Sequence, residues 1–185
     1  MGVTQYVSFI TDINQQTTEV LMGVCADFCN KGVEHIYLLL STPGGNVMNG
    51  ITLYNYLRGI PAKLTTHNIG AVNSIGNVIF LAGEERFACQ NSTFMFHGVG
   101  FDIIDKTRFE EKNLREKIDA VQADQRGIGN IIAQRTKIGS EEVQKLFLRA
   151  ETRDPDFAAA HGIIQEIREF KLPKGAPLAQ LVFKR

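Results

Sequence analysis

Residues 70–76, Gly-Ala-Val-Asn-Ser-Ile-Gly, are the most informative stretch of the chain, and an apolar run follows them at residues 78–82. A lone serine between small residues and an apolar helix is typical of a strand-to-helix turn. Such a turn can expose a nucleophile, and backbone N–H groups at the start of the helix can stabilise an oxyanion. The plain alternative is that Ser74 only caps the helix, which requires no chemistry. From spacing alone, the cap is the simpler interpretation.

Two companion motifs lie on either side of Ser74. Upstream, Ser-Thr-Pro-Gly-Gly at residues 41–45 follows an apolar strand, and glycine there lets a carbonyl substrate approach backbone donors, although a tight turn needs the same residues. Downstream, His97 ends an apolar strand and precedes Gly98-Val99-Gly100. A serine hydroxyl needs a neighbouring base before it can attack a carbonyl group. The three motifs together predict an acyl-transfer site.

Strands alternate with helices along the first part of the chain, which predicts parallel strands joined by right-handed crossovers. Asp12 is predicted to cap the first helix, and the tail beyond residue 173 is expected to be irregular. The predicted strands cover residues 6–10, 35–40, 63–66, 86–89, 93–96 and 162–167.

A long helix is predicted from Thr107, where Thr107 and Glu110 form a capping box, to about residue 136. At about 45 Å it would exceed the width of a compact domain of about 40 Å, so we expect it to project. Gly127 and Gly129 could bend or break it. A projecting apolar stripe is usually covered by another subunit, which predicts an oligomer. The stripe comprises Phe109, Leu114, Ile118, Val121, Ile128 and Ile132, and a further helix is predicted over Ser140 to Arg149.

Composition excludes several classes of protein. With 185 residues and 44% hydrophobic side chains, the chain fits one globular domain over residues 1–185. Zero net charge and no basic block argue against nucleic acid, and the lack of an export signal or long apolar run predicts a cytoplasmic protein without a membrane span. Three cysteines suit a reducing compartment, and we expect Cys25 and Cys29 to pack in the core, with no metal or cofactor.

Four motifs, taken in order, resemble those of the ClpP family of serine peptidases: Ser-Thr-Pro-Gly-Gly-Asn-Val, Gly-Ala-Val-Asn-Ser-Ile-Gly, Leu-Ala-Gly and Asn-Ser-Thr-Phe-Met-Phe-His. The likeness runs over roughly residues 6 to 168. It implies an α/β, crotonase-like fold of repeated ββα (βαβ) units. It also implies a protruding handle helix, within a handle region of about residues 98–136, and a homo-oligomer in which stacked rings face each other.

The resemblance also implies roles for individual residues. Ser74 would attack the scissile carbonyl and His97 would act as general base, while the backbone amides of Gly44 and Ile75 would hold the oxyanion. The orienting carboxylate is expected in the loop before the last helix and strand, which is shorter here than is usual in the family. Asp154 is the first choice, and Asp156 and Glu151 are the alternatives. A helix cap is the plain interpretation of Asp154.

The leading hypothesis is a serine endopeptidase that hydrolyses short or unfolded polypeptides through an acyl-enzyme inside an oligomeric chamber. One alternative, motivated by the short loop, is a catalytically inactive ClpP-like subunit that serves as an assembly partner. The other is a crotonase-type enzyme acting on acyl-thioesters. The chain starts almost at its first strand, so the segment that forms axial pore loops in the family is expected to be missing. A AAA+ ATPase partner is therefore left open.

Overall fold

The computed structural model describes residues 4–101 and 108–183, which form a mostly parallel eight-stranded sheet. The strand order in the sheet is β6-β5-β3-β2-β1-β8. In addition, β4 pairs with β3, and β7 pairs with β4. Only the β5–β6 pair is antiparallel. The predicted α/β class with parallel strands is therefore confirmed. The strands are β1 (Thr4–Ile10), β2 (His35–Thr42), β3 (Lys63–Asn73), β4 (Glu85–Ala88), β5 (Thr93–Met95), β6 (Thr152–Arg153), β7 (Glu166–Ile167) and β8 (Leu178–Gln180).

Helices connect the strands and cover one face of the sheet, where the apolar side chains of β1, β2 and β3 form the core. In these strands the buried residues include Val7, Phe9, Ile36, Leu38, Leu40 and Leu64. The helices are α1 (Gln15–Asn30), α2 (Val47–Gly59), α3 (Gly76–Phe80), α4 (Glu111–Arg135), α5 (Ser140–Arg149) and α6 (Pro155–Ala160).

The cap of α1 is Asn14, so the prediction of Asp12 was wrong. The Thr17 N–H donates to Asn14 Oδ1 at 3.0 Å, and the Asn14 N–H donates to Thr17 Oγ1 at 3.0 Å. The Asp12 carboxylate instead accepts hydrogen bonds from Thr11 Oγ1 and Asn14 Nδ2. Asp12 therefore supports the cap residue from outside the helix.

On the edge away from β2, the β3 strand pairs with two different strands along its length, and this fork positions the site. Its first half pairs with β4 through Thr65–Asn68, and its last three residues, Ala71–Asn73, pair with β5. The predicted strand at residues 63–66 is therefore extended to Asn73. Because β3 and β5 are parallel, the residues that follow them emerge at the same edge of the sheet. Ser74 follows β3, and His97 follows β5 by two residues.

The long helix α4 begins later than predicted. Glu110 caps it through a capping box with Asn113, whereas the predicted cap Thr107 lies outside the described residues. The helix continues through Gly127 and Gly129 without a break. Its first half is exposed, and only Ile128 and Ile132 are buried. Leu114 and Ile118 are 43% and 51% exposed, as expected for a helix whose first half lacks cover within the described part of the chain.

The C-terminal part differs from the prediction at two points. The strand predicted at residues 162–167 is reduced to β7, because Gly162 adopts a left-handed φ of 70° and breaks the extended backbone. The tail is not wholly irregular, because β8 pairs in parallel with β1, and the Phe183 ring lies 6.3 Å from that of Phe9. The α5 helix has the predicted bounds, Ser140–Arg149.

Two further observations concern composition. Cys25 is buried, and burial raises the pKa of its thiol to about 12, which suits a packing role. Among the described residues, no helix is both long and apolar enough to cross a bilayer.

Candidate active site

Ser74 occupies a strained turn between β3 and α3. Its φ is 56°, a left-handed value that only Ser74 and Ala150 share among the described non-glycine residues. This conformation costs an L-residue about 1 kcal/mol. The cap position of α3 is Ile75, and no side chain makes a capping hydrogen bond there. Ser74 therefore does not act as the helix cap that the plain interpretation assumed.

Hydrogen bonds tie the Ser74 turn to the end of β5. The Ser74 N–H donates to the Met95 carbonyl at 2.8 Å. The Asn77 side-chain amide donates to the same carbonyl at 2.8 Å and to the Ser74 carbonyl at 3.0 Å. The strained backbone of Ser74 is thus fixed relative to the segment that carries His97.

The glycine loop packs directly against the Ser74 turn. A Cβ atom on Gly44 would lie 2.8 Å from Ser74 Cβ, and one on Gly45 would lie 2.1 Å from the Ile13 carbonyl oxygen. Both glycines have positive φ, 95° and 150°. The Gly44 N–H donates to Thr42 Oγ1 at 3.1 Å, so this predicted oxyanion donor already has a partner. Within the described residues, the N–H groups of Gly45 and Ile75 donate to no other protein group.

His97 lies at the surface just beyond β5, and its neighbours are fixed on both sides. The Phe96 N–H donates to the Glu151 carbonyl at 2.9 Å, and the Gly98 N–H donates to the Phe147 carbonyl at 3.1 Å. Phe147 lies near the end of α5, and Glu151 lies between α5 and β6. The His97 backbone is therefore anchored, while its exposed ring is free to approach a substrate.

Ser74 and His97 line the same cavity, which has a volume of about 250 Å³. Gly45 and Ile75, the two residues with unpartnered N–H groups, line it as well. The cavity therefore combines a hydroxyl group, an imidazole and two backbone donors with an apolar wall. The wall is formed by Val47, Phe96, Val99, Ile128, Ile132 and Phe147.

The predicted carboxylate Asp154 is the cap of α6, where its Oδ1 accepts a hydrogen bond from the Phe157 N–H at 2.8 Å. The β5–β6 register pairs Phe94 with Arg153 and Met95 with Thr152. Extended by one position, this register places Asp154 opposite Thr93, four residues before His97. Four strand residues span about 13 Å. The assignment of Asp154 to His97 therefore stays a prediction that no contact supports.

The two alternative carboxylates are also engaged or distant. The Glu151 carboxylate accepts hydrogen bonds from Arg153 and, at 3.4 Å, from Arg149. Asp156 is exposed in the first turn of α6. Across residues 4–101 and 108–183, no hydrogen bond or ion pair joins the His97 ring to a carboxylate.

Ala150 lies next to the segment that pairs with the end of β5. The Phe96 N–H donates to the Glu151 carbonyl and continues the β5–β6 register by one pair, but the Gly98 N–H donates to Phe147 rather than to Arg149, so the register ends there. Successive side chains of a strand point to opposite faces, so Glu151 is expected to share the face of Phe96 rather than that of His97. Ala150 has a φ of 50°. Of the two left-handed non-glycine residues that the structure describes, Ser74 lies in the turn after β3, and Ala150 lies beside the residue that pairs with Phe96.

Sequence reasoning missed two residues near this site, Asn77 and Ala150, and from the glycine pair it named Gly44 rather than Gly45 as the oxyanion donor. Asn77 carries a detectable signal, because it is the one polar side chain in the apolar run after Ser74. Ala150 carries none, because its importance depends on the β5–β6 register. In the described part of the chain, no group of three or more His, Cys, Asp or Glu residues could hold a metal ion.

The chain matches a known protein family over most of its length. The family described as Clp protease matches residues 4–171, a range that contains every residue of the candidate site. Its members are normally serine peptidases, which typically form oligomers and degrade polypeptides. The mostly parallel sheet is consistent with the ClpP/crotonase fold.

Proposed function

Because the chain belongs to the Clp protease family, we propose that it is a serine endopeptidase that cleaves short or unfolded polypeptides inside a homo-oligomeric chamber. One observation carries this proposal. Ser74 is held in a strained left-handed turn on the wall of the cavity that His97 also lines. Backbone strain at a nucleophile is typical of functional sites, because the surrounding structure must maintain it.

In the proposed reaction, His97 removes the proton from Ser74 Oγ, which attacks the scissile carbonyl carbon. The developing oxyanion is stabilised by backbone N–H groups. Ile75 supplies one of them, and Gly45 is favoured over Gly44 for the other because the Gly44 N–H already binds Thr42. His97 then gives its proton to the leaving amine, and water hydrolyses the acyl-enzyme with His97 again as base.

The third member of the site has no described contact with His97. Asp154 caps α6, Glu151 binds two arginines, and Asp156 is exposed in the first turn of α6. We therefore propose that Ser74 and His97 act as a pair whose imidazole has no carboxylate partner among the described residues. Such a pair retains oxyanion stabilisation and binding but orients the imidazole less well.

The proposal is tested by hydrolysis of a peptide ester by the purified protein. We expect measurable turnover that His97→Ala lowers by about a hundredfold or more, since general-base catalysis typically contributes that much. His161→Gln is a suitable control, because His161 stacks on Phe157 and does not line the cavity. Equal rates for wild type and His97→Ala would contradict the proposal.

A second candidate function is a catalytically inactive subunit that assembles with an active partner. The observation that favours it is that, within residues 4–101 and 108–183, no hydrogen bond or ion pair joins the His97 ring to a carboxylate that would orient the imidazole. An inactive subunit predicts no hydrolysis above the His97→Ala background at any protein concentration. It further predicts that activity appears only after an active relative is added.

The exposed first half of α4 supports the homo-oligomeric part of the proposal. Leu114 and Ile118 are large apolar side chains that no described part of the chain covers. We expect light scattering to show an oligomer, and Leu114→Glu with Ile118→Glu to reduce its mass. Lys112→Glu, on an exposed position of the same helix, is the control for added negative charge.

A further inference from the structure

Asn77 is a buried polar residue that the proposed reaction does not use. It is 2% exposed and lies in α3, one helical turn after Ser74. Both hydrogens of its side-chain amide are engaged, one by the Ser74 carbonyl and one by the Met95 carbonyl. It therefore bridges the turn of the nucleophile and the strand that leads to His97.

Burial of the Asn77 side chain is energetically unfavourable at one of its atoms. Its Oδ1 atom is buried and has no hydrogen-bond partner among the described residues. An unpaired buried acceptor is unfavourable, and an apolar side chain of similar size would avoid the penalty. The residue is therefore suited to supplying two N–H donors rather than to filling space.

The two carbonyls that Asn77 binds are those that fix the site. The Met95 carbonyl also accepts the Ser74 N–H, so it receives two donors at 2.8 Å. The Ser74 carbonyl belongs to the residue with φ 56°, whose conformation needs support from its surroundings. Without Asn77, the Ser74 N–H bond to Met95 would be the one hydrogen bond joining the two segments at this point in the described structure.

We propose that Asn77 is a positioning residue, which holds the Ser74 turn at a fixed distance from the end of β5 and so aligns Ser74 with His97. Its contribution to catalysis rests on the proposed function. The structural role of Asn77 does not depend on the proposed function, because it concerns the stability of the connection between the Ser74 turn and the end of β5. The residue touches neither the substrate nor the reacting atoms.

The test compares Asn77→Ala and Asn77→Ser with wild type. Serine in a helix can donate to a carbonyl three or four residues earlier, so Asn77→Ser keeps a donor for Ser74 but cannot bridge to Met95. Thr66→Val is the matched control. It removes a buried hydrogen bond of 2.8 Å to the Phe80 carbonyl, at the opposite end of the same helix.

The first readout is amide hydrogen exchange, which is independent of activity. We expect exchange at the Ser74 N–H to accelerate by about tenfold in Asn77→Ala and by less in Asn77→Ser, relative to Thr66→Val. Unchanged exchange at Ser74 in both Asn77 variants would overturn the proposal. If Asn77→Ala does not fold, Asn77→Ser alone decides between these results.

The second readout is the split between kcat and KM for a peptide ester. We expect kcat to fall by about ten- to a hundredfold in Asn77→Ala with KM nearly unchanged, because a misplaced nucleophile lowers the rate of the chemical step. A fall in kcat no larger than that of Thr66→Val would overturn the proposal. If wild type shows no Ser74-dependent activity, the proposed function fails, and exchange at Ser74 still decides whether Asn77 fixes the turn.

Discussion

Gly44 and Ser74 pack so closely that a Cβ atom added to Gly44 would lie 2.8 Å from Ser74 Cβ and 2.9 Å from the Asn73 carbonyl oxygen. The turn of the nucleophile and the glycine loop therefore share one backbone-to-backbone contact. Two further close contacts lie nearby, in which the Gly50 backbone packs against the Ile75 side chain and the Gly76 backbone packs against the Thr42 side chain. The site depends on glycines that allow two loops to approach.

Substituting Gly44 should lower activity strongly. The methyl group of Gly44→Ala would clash with Ser74, and the alanine would have to adopt a φ of 95°. We expect kcat/KM for a peptide ester to fall by about a hundredfold, since a displacement of about 1 Å has that effect. Gly59→Ala is the control, because nothing lies within 4 Å of its added Cβ. Near-wild-type rates in Gly44→Ala would show that the close contact is dispensable.

A carboxylate introduced near His97 should increase activity. Ala150→Asp puts an acidic group next to Glu151, whose carbonyl accepts the Phe96 N–H beside His97, and aspartate tolerates the left-handed φ of 50° better than alanine does. We expect kcat to rise by about tenfold or more, because an oriented imidazole is a better base. Ala150→Asn matches the shape without the charge. Equal rates in the two variants would argue against a missing carboxylate.

The cavity wall predicts a preference for an apolar side chain on the residue before the scissile bond. Ile75, Ile128, Ile132 and Phe147 line the cavity, and no Asp, Glu, Lys or Arg is among its described lining residues. A charged side chain would lose its hydration there without gaining a partner. We expect leucine or methionine esters to exceed lysine or aspartate esters in kcat/KM by about tenfold or more.

Phe147→Ala tests whether this wall sets the preference. The variant removes the largest aromatic group that closes the cavity on the side of α5, so we expect larger aromatic side chains to gain relative to leucine. A specificity profile that is unchanged by Phe147→Ala would place the recognised side chain elsewhere.

His67 should make stability depend on pH. It is fully buried, with its Nδ1 accepting from Tyr37 Oη at 2.8 Å and its Nε2–H donating to the Arg168 carbonyl at 3.0 Å. Burial lowers the pKa of His67 more than its hydrogen bond to the Arg168 carbonyl raises it, and the Arg168 charge also lowers it. The unfolded chain then binds a proton below about pH 6.5 that the folded chain does not bind. The free energy of unfolding should therefore fall as the pH drops through this range.

Chemical denaturation between pH 5 and pH 8 measures this effect. One proton contributes a slope of at most about 1.4 kcal/mol per pH unit. His67→Gln should make the slope shallower without removing it, because burial also lowers the pKa of His35. Thr66→Val should shift the whole curve and keep its slope. An identical slope in wild type and His67→Gln would contradict the assignment.

The fold was largely predictable because its signals are local. Continuous apolar runs identified β2, and spacing identified α5 to the residue. The cap of α1 was misjudged, because Asp12 and Asn14 are both good caps and the reciprocal hydrogen bonds between Asn14 and Thr17 decide between them. The small strand β8 carries no pattern of its own, since it is held by pairing with β1.

The site was predictable only where a motif is contiguous. Ser74 and His97 stand out in their own stretches, and their shared cavity follows from the fork of β3. The partner of His97 depends on the register between two short strands, which no local pattern specifies. The same holds for the oxyanion donor, because the hydrogen bond between Gly44 and Thr42 distinguishes it from Gly45.

The most direct test of the central claim is to identify the residue that reacts with a fluorophosphonate probe. The labelled protein is digested, and the modified peptide is identified by mass spectrometry. We expect one adduct, on Ser74, that is absent in Ser74→Ala and forms much more slowly in His97→Ala. An adduct of equal yield in wild type and Ser74→Ala, or one on another residue, would contradict it.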